Sequence, residues 1–195
     1  MSKYKTGMAV IVVALAGIAV GGTALGAECD GVRLPDAAQA GSAGLMLNGM
    51  GIRKATFLKV HVYVAGLYLP AKSGNADAIL GADQAWHLAL HFVRDVGASD
   101  IREAYQEGFA KAAGGGLAAL QPRVDGMNAK MVDFKKGHEL SFTHEPGKGT
   151  SMNVNGQRYP AIPGADFASA LLKISIGPEP PNEELKAGLL GGRCG

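Results

Sequence analysis

The sequence is poor in cysteine, tryptophan and charged residues. It has two cysteines and one tryptophan in 195 residues, and charged residues make up 18% of it, against about 25% in an average globular protein. Neither sign of charge dominates, since 19 lysines and arginines stand against 17 acids. A surface without basic runs argues against a nucleic-acid partner, because such binding depends on Lys and Arg neutralising phosphates.

Long apolar runs are also missing, except at the N-terminus. Lys3 and Lys5 precede the uncharged stretch MAVIVVALAGIAVGGTALGA, and the first acid is Glu28. This pattern is typical of a secretory signal peptide, and its small residues predict cleavage after Gly26 or Ala27. An uncleaved membrane anchor is the alternative, because about 20 apolar residues span a bilayer.

We therefore expect a signal peptide at 1–27 and one domain at 28–195, located in the periplasm or secreted. Loss of the two leader lysines would leave 17 basic and 17 acidic residues, so the mature chain would be formally neutral. No second apolar run is long enough for a stable membrane span after signal removal. The oligomeric state stays open.

The two cysteines lie at opposite ends of the expected mature chain, Cys29 at its start and Cys194 next to its end. In an oxidising compartment two cysteines most simply pair. Closing nearly the whole chain in one loop would contribute about 4 to 5 kcal/mol in the chain-entropy model. We expect a disulfide, with two free thiols on the chain ends as the alternative.

Alternating hydrophobicity predicts strands at 45–48 and 60–69 and in WHLALHFVRDV. Three further short strands are predicted in HELSFTHEPGKGTSMNVNGQRYPAI, joined at PGKG and NG. Helical periodicity predicts helices in NADAIL with Asn75 as N-cap, in SDIREAYQEGFAKAA with Ser99 as N-cap, in a stretch interrupted near Pro122, in GADFASALLKISI, and in NEELKAGLLG with Asn182 as N-cap. This order predicts an α+β domain whose antiparallel sheet has helices on one face.

Metal binding and nucleophilic catalysis find little support in the sequence. His87 and His91 lie on one predicted strand, about 13 Å apart at roughly 3.3 Å per residue, which is too far to share an ion. There is no Gly-x-Ser-x-Gly motif, and NGMG lacks the third glycine of a dinucleotide fingerprint. We expect neither a metal nor another cofactor.

The stretch LNGMGIRKATFLKVHVYVAGLYLP carries unusual polar residues for a buried strand. We interpret it as a strand entered through a Gly-x-Gly-x-Arg turn, with Arg53 at the end of the turn. Strict alternation places His61 and Tyr63 on one face of the strand, above an apolar floor. A guanidinium fixed near a phenol is a good receptor for a carboxylate or enolate. Both residues also have a structural interpretation, Arg53 as a solvated charge and Tyr63 as a core aromatic.

Four stretches together resemble the bacterial branch of the chalcone isomerase-like family, over 45–191. They are LNGMGIRKATFLKVHVYVAGLYLP, HFVRDVGASDIREAYQEGF, KKGHELSFTHEPGKGTSMNVNG and GADFASALLKISIGPEPPNEELKAGLLG. The resemblance implies the chalcone isomerase fold, an open-faced β-sandwich in which helices cover one face of a large antiparallel sheet and a ligand cleft lies between them.

The resemblance also implies two kinds of site. Plant enzymes of the family are intramolecular lyases, in which an arginine after the glycines steadies the developing anion. A second branch binds fatty acids and holds the carboxylate with the same arginine and a tyrosine. The arginine falls on Arg53 and the tyrosine on Tyr63, while His61 replaces a lysine of the binding motif. Tyr63 also occupies the position of a threonine that the isomerases use.

Three hypotheses follow. The first is an exported protein that binds a fatty acid or similar amphipathic carboxylate without catalysis, through Arg53, Tyr63 and His61. The second is an intramolecular lyase acting on an unsaturated phenolic ketone, with Arg53 and Tyr63 as catalytic residues and Tyr63 or His61 moving the proton. The third is a structural protein with a collapsed cleft. An uninterrupted apolar tunnel would favour the first, a second polar cluster deep in the cleft the second, and the absence of a cavity the third.

Overall fold

Seven strands form one antiparallel sheet, and each pairs with the strand that follows it in the chain. The computed structural model describes residues 26–55 and 58–194. The predicted signal peptide lies almost wholly outside the described residues. The sheet strands are β3 (Ala37–Ala40), β4 (Ala43–Ala55), β5 (Val60–Leu69), β6 (Trp86–Phe92), β7 (Glu139–Glu145), β8 (Gly149–Val154) and β9 (Gln157–Ile162). A separate hairpin precedes them, made of β1 (Ala27–Cys29) and β2 (Val32–Leu34).

Five α-helices accompany the sheet within the described residues. They are α1 (Ala76–Gly81), α2 (Ala98–Ala113), α3 (Leu117–Asn128), α4 (Ala165–Ile176) and α5 (Glu183–Leu189), with a 3₁₀ turn (Gly114–Gly116) between α2 and α3. The helices pack on one face of the sheet around a large apolar core. The β1–β2 hairpin packs on the other face against β4 and β5, in a second, smaller core. The predicted α+β class and open-faced sandwich are confirmed.

Strand β6 shows why the sequence predicts this sheet well. Trp86, Leu88, Leu90 and Phe92 are all buried on the helix side, and the residues between them are half-buried. Period-two alternation of this kind arises when one face of a strand is buried and the other is less so. The three-strand meander β7–β9 is also as predicted, including the NG turn, whose two residues adopt the positive φ values of a tight hairpin.

Three local predictions are corrected. The Gly-x-Gly-x-Arg segment is no turn, because β4 continues through it to Ala55. Ser99 is not the N-cap of α2, since the helix begins at Ala98, whose backbone N–H donates to Asp133 Oδ1 at 2.8 Å. Pro122 does not interrupt its helix but lies inside α3. Tertiary packing holds that helix against the sheet, with Val124 and Met127 in the core.

The predicted disulfide between Cys29 and Cys194 is present, with the two Cα atoms 5.8 Å apart. It joins the hairpin on one face of the sheet to the segment after α5, which lies on the other face. The predicted N-cap Asn75 is confirmed, since its Oδ1 accepts from Ala78 N at 3.1 Å. Among the described residues, no helix is long and apolar enough to cross a membrane.

Candidate functional site

Two glycines of β4 bring helix α5 into direct contact with the strand. A Cβ on Gly51 would lie 2.9 Å from Leu185 Cα, and a Cβ on Gly49 would lie 2.7 Å from Gly191 N. Real Cβ atoms do not approach backbone this closely, so α5 can pack here only because both residues are glycines. Arg53 is the next residue on the same face of β4. The same alternation that places both glycines under the helix therefore places Arg53 just beyond it.

Two asparagine side chains fix α5 along this strand. Asn182 Oδ1 accepts from Lys54 N, and its Nδ2 donates to Ile52 O, both at 3.0 Å. At the other end of the helix, buried Asn48 donates through Nδ2 to Leu189 O at 2.8 Å. Asn182 thus occupies the predicted N-cap position but makes no capping bond there, because its amide pairs with the backbone of β4 instead.

A bulge in β5 decides which side chains reach the helix face. Arg53 pairs with Tyr63, but its neighbour Lys54 pairs with His61, so Val62 is an extra residue in the ladder. Val62 and Tyr63 both line the space under the helices. His61 turns to the hairpin, where its Nδ1 lies 2.8 Å from Asp30 Oδ2. The structure therefore does not place His61 beside Tyr63, contrary to strict alternation.

A cavity of about 460 Å³ lies between the sheet and the helices α2 and α4. This size falls within the range of small-molecule pockets. Apolar and charged residues both line it. The charged ones are Arg53 on β4, Asp100, Glu107 and Lys111 on α2, and Arg94, Asp95 and Glu179 on the loops. The apolar lining residues are Ala55, Val62, Leu90, Phe92, Val96, Ile101, Ala104, Leu140, Ile174, Pro180 and Pro181. The cleft is therefore open, whereas the hypothesis of a purely structural protein expects a collapsed cleft.

Arg53 lines this cavity as a half-buried cation without an acidic partner. Its Nη1 donates to the carbonyl oxygen of Lys54. Among the described residues, no carboxylate lies within ion-pair distance of its guanidinium, whereas the exposed Arg33 and the partly exposed Arg123 each have one. A guanidinium taken partly out of water without a counter-ion is an anion-binding group.

Tyr63 lies next to Arg53 and packs edge-on against Phe92, with the ring centroids 5.7 Å apart. Burial raises the pKa of Tyr63 to about 12, although the positive charge of Arg53 opposes the rise. The hydroxyl is therefore a neutral hydrogen-bond donor at physiological pH. It has no hydrogen-bond partner within the described part of the chain, so it is available to a ligand.

A second phenol, Tyr105 of α2, reaches the same cavity from the helix side. Burial raises its pKa well above the ordinary value, and Tyr63 adds to the rise. Tyr63 lies on the sheet and Tyr105 on the helix that covers it, close enough for Tyr63 to raise the pKa of Tyr105. Tyr105 is not a predicted site residue, because it falls on the apolar stripe of α2. The one available signal was a hydroxyl on that stripe, between Ile101 and Phe109.

The cavity brings together Arg53 and Tyr63 from the predicted site, adds Tyr105 and leaves out His61. No group of three or more His, Cys, Asp or Glu side chains is arranged to hold a metal ion in residues 26–55 and 58–194. What the arrangement offers around Arg53 is a cation without an acidic partner and two neutral phenols beside apolar side chains. It can bind a small molecule that has an anionic end and an apolar body.

Comparison with known proteins agrees with this fold. The chain is similar to a crystal structure of a fatty-acid binding protein from Arabidopsis thaliana, with a TM-score of 0.68 and 19% sequence identity over 83% of this chain and 92% of that chain. No curated protein matches the sequence. The family model described as chalcone isomerase-like matches residues 26–191. The protein therefore belongs to the chalcone isomerase-like family.

Proposed function

We propose that this protein binds a fatty acid or a similar amphipathic carboxylate in the cavity and catalyses no reaction on it. The observation that carries the proposal is the half-buried guanidinium of Arg53, which has no acidic partner among the described residues and lies beside the neutral phenol of Tyr63. The carboxylate would lie on these two residues. The acyl chain would occupy the apolar part of the cavity.

The physical basis of the proposal is the cost of burying a charge that has no partner. A charge that is partly removed from water loses hydration, and a bound anion restores the loss best when it forms charge-assisted hydrogen bonds. Arg53 can offer two parallel N–H groups to a carboxylate, and Tyr63 can add an O–H. Tyr105 is a third donor on the opposite wall. The similarity to a fatty-acid binding protein supports this proposal.

The lyase hypothesis has less support. It needs a group that moves a proton at neutral pH, and the sequence offers Tyr63 or His61 for that role. A phenol with a pKa of about 12 is almost never ionised at neutral pH, so it is a poor base. His61 bonds to Asp30 on the other face of the sheet. We therefore expect no chalcone cyclisation above the spontaneous rate.

Titration with a fluorescent long-chain fatty acid tests the proposal. Arg53→Ala and Tyr63→Phe should each weaken binding by about 1.5 to 3 kcal/mol, the range for hydrogen bonds to charged groups. The double variant should lose less than the sum, because both residues hold one carboxylate. Arg53→Lys should restore only part of the affinity, since a point charge lacks the two-pronged geometry.

The matched control is His61→Ala, which removes a polar side chain from the same strand but from the other face. It should leave the affinity unchanged, with circular dichroism verifying that every variant is folded. Unchanged affinity in folded Arg53→Ala, or losses that simply add, would contradict the proposal. A fall in affinity in His61→Ala equal to that in Tyr63→Phe would place the ligand elsewhere.

We also propose that residues 1–27 are a cleaved signal peptide and that 28–195 act in the periplasm or outside the cell. The apolar run after Lys3 and Lys5 supports this, and so does the disulfide, since such bonds persist in oxidising compartments. The mass of the protein recovered from the periplasm and medium tests it. A protein retained in the cytoplasm with its full N-terminus would contradict it.

A further inference from the structure

A second cleft lies at the opposite end of strand β6 from the cavity described above. It measures about 270 Å³ and shares no lining residue with the first cavity. Helices α1 and α4, the loop between α1 and β6, and the ends of β6 and β7 enclose it. Its apolar side includes Ile79, Leu80, Trp86 and Leu172, and its polar side includes Asp83, His144 and Ser169.

The histidine of this cleft is buried and held at both nitrogens. His144 is only 3% exposed. Its Nδ1 lies 3.1 Å from the hydroxyl oxygen of Thr150, and its Nε2 lies 3.2 Å from Asp83 Oδ1. Trp86 is its cross-strand partner, and the two ring centroids are 5.6 Å apart. The imidazole is therefore fixed in place, and it fixes one oxygen of Asp83 in turn.

Among the described residues, Asp83 carries a negative charge that no lysine or arginine neutralises. Its side chain is 57% exposed, and within the described part of the chain it is hydrogen-bonded to His144. The other carboxylate at the cleft, Asp166, is already engaged by Arg123 through two bonds of 2.7 and 2.6 Å. No lysine or arginine lines the cleft. The cleft therefore combines a positioned carboxylate, which no lysine or arginine neutralises, with an apolar and aromatic wall.

We propose that the cleft formed by Trp86, His144 and Asp83 is a second binding site, which takes a small primary amine with an apolar body. The ammonium donates to the free oxygen of Asp83, and the body lies against Leu172 and the edge of Trp86. A primary ammonium fits better than a quaternary one, because the site offers a hydrogen-bond acceptor and not a cage of aromatic faces. His144 acts as a positioning residue for the carboxylate.

The single tryptophan of the chain provides a direct readout, because Trp86 lines this cleft and not the other. Tryptophan fluorescence is titrated with 2-phenylethylamine and, separately, with 3-phenylpropionate, which has the same ring and spacer but the opposite charge. The amine should give a saturable change and the carboxylate should not. No saturable change with the amine, or the same change with both probes, would overturn the proposal.

Variants in and near the cleft test whether the amine binds at Asp83. Asp83→Asn should weaken amine binding at least tenfold, whereas Asp77→Asn, which removes an exposed acid from nearby α1, should not change it. Ala82→Lys, at an exposed position of the cleft lining, should abolish binding by placing an ammonium beside Asp83, and it decides the question if Asp83→Asn does not fold. Full affinity in either Asp83→Asn or Ala82→Lys would overturn the proposal. Arg53→Ala should keep amine binding, which separates this site from the fatty-acid site.

Discussion

Replacing Gly51 by alanine tests whether the contact between α5 and β4 builds the site. The added Cβ would lie 2.9 Å from Leu185 Cα and 3.0 Å from Leu185 C, and both are backbone atoms that cannot rotate away. The helix must therefore move off the strand. Overpacking of this kind costs typically about 1 to 3 kcal/mol.

A matched control lies in the same strand at Gly44. A Cβ added there meets nothing within 4 Å, and its φ is not in the left-handed region. Any glycine replaced by alanine gains about 0.4 to 1 kcal/mol when its backbone conformation suits alanine, because the unfolded chain becomes less flexible. Gly44→Ala should carry this gain without a clash. The difference between the two variants therefore isolates the contact.

Urea unfolding of both variants measures the difference in the free energy of unfolding. We expect Gly51→Ala to be less stable than Gly44→Ala by about 1 to 3 kcal/mol, with a melting temperature lower by about 2 to 4 °C for each kcal/mol in a chain of this size. Fatty-acid affinity should fall too, because the helix carries Pro180 and Pro181 of the cavity wall on the segment before it. Equal stability of the two variants would show that the contact of α5 with Gly51 does not depend on the missing side chain.

Three further outcomes are expected. Thiol titration of the denatured, unreduced protein should find no free thiol, and reducing the Cys29 to Cys194 bond should lower the free energy of unfolding by up to about 4 to 5 kcal/mol. Arg123 lowers the pKa of Asp166 from 3.8 to about 2, so this ion pair stabilises the fold above pH 4, and the stability deficit of Asp166→Asn should vanish as the pH falls through about 2. Spectroscopic titration curves of the wild type and Tyr63→Phe should differ by one phenol that ionises near pH 12, and they should coincide at lower pH.

The sheet could be predicted from sequence because its signals are local. The alternation of β6 needs no knowledge of the other strands, and neither does the NG turn between β8 and β9. The amphipathic stripe of α2 is a local signal in the same way. The error at its start, the N-cap at Ser99, arose because the first N–H group of the helix, that of Ala98, is satisfied by Asp133, which is distant in sequence.

The site was harder to predict because it depends on pairing between segments. The residues HVYV read as a regular strand, and nothing in them indicates that Val62 is a bulge. The bulge is defined only by the register with β4, where Arg53 pairs with Tyr63 and Lys54 with His61. One extra residue reverses the side of the sheet that His61 faces. Likewise Gly49 and Gly51 suggest a turn in the sequence, and only the packing of α5 against them explains why both are glycines.

The formal neutrality of the expected mature chain says nothing about where its charges are uncompensated. Equal numbers of basic and acidic residues argued against nucleic acid, but most of those charges pair or face water. Two charges lie under opposite ends of the helix layer: within the residues the structure describes, Arg53 forms no ion pair in one cleft, and no lysine or arginine pairs with Asp83 in the other. A ligand charge can compensate each of them, so opposite ligand preferences for the two clefts follow from local pairing and not from net charge.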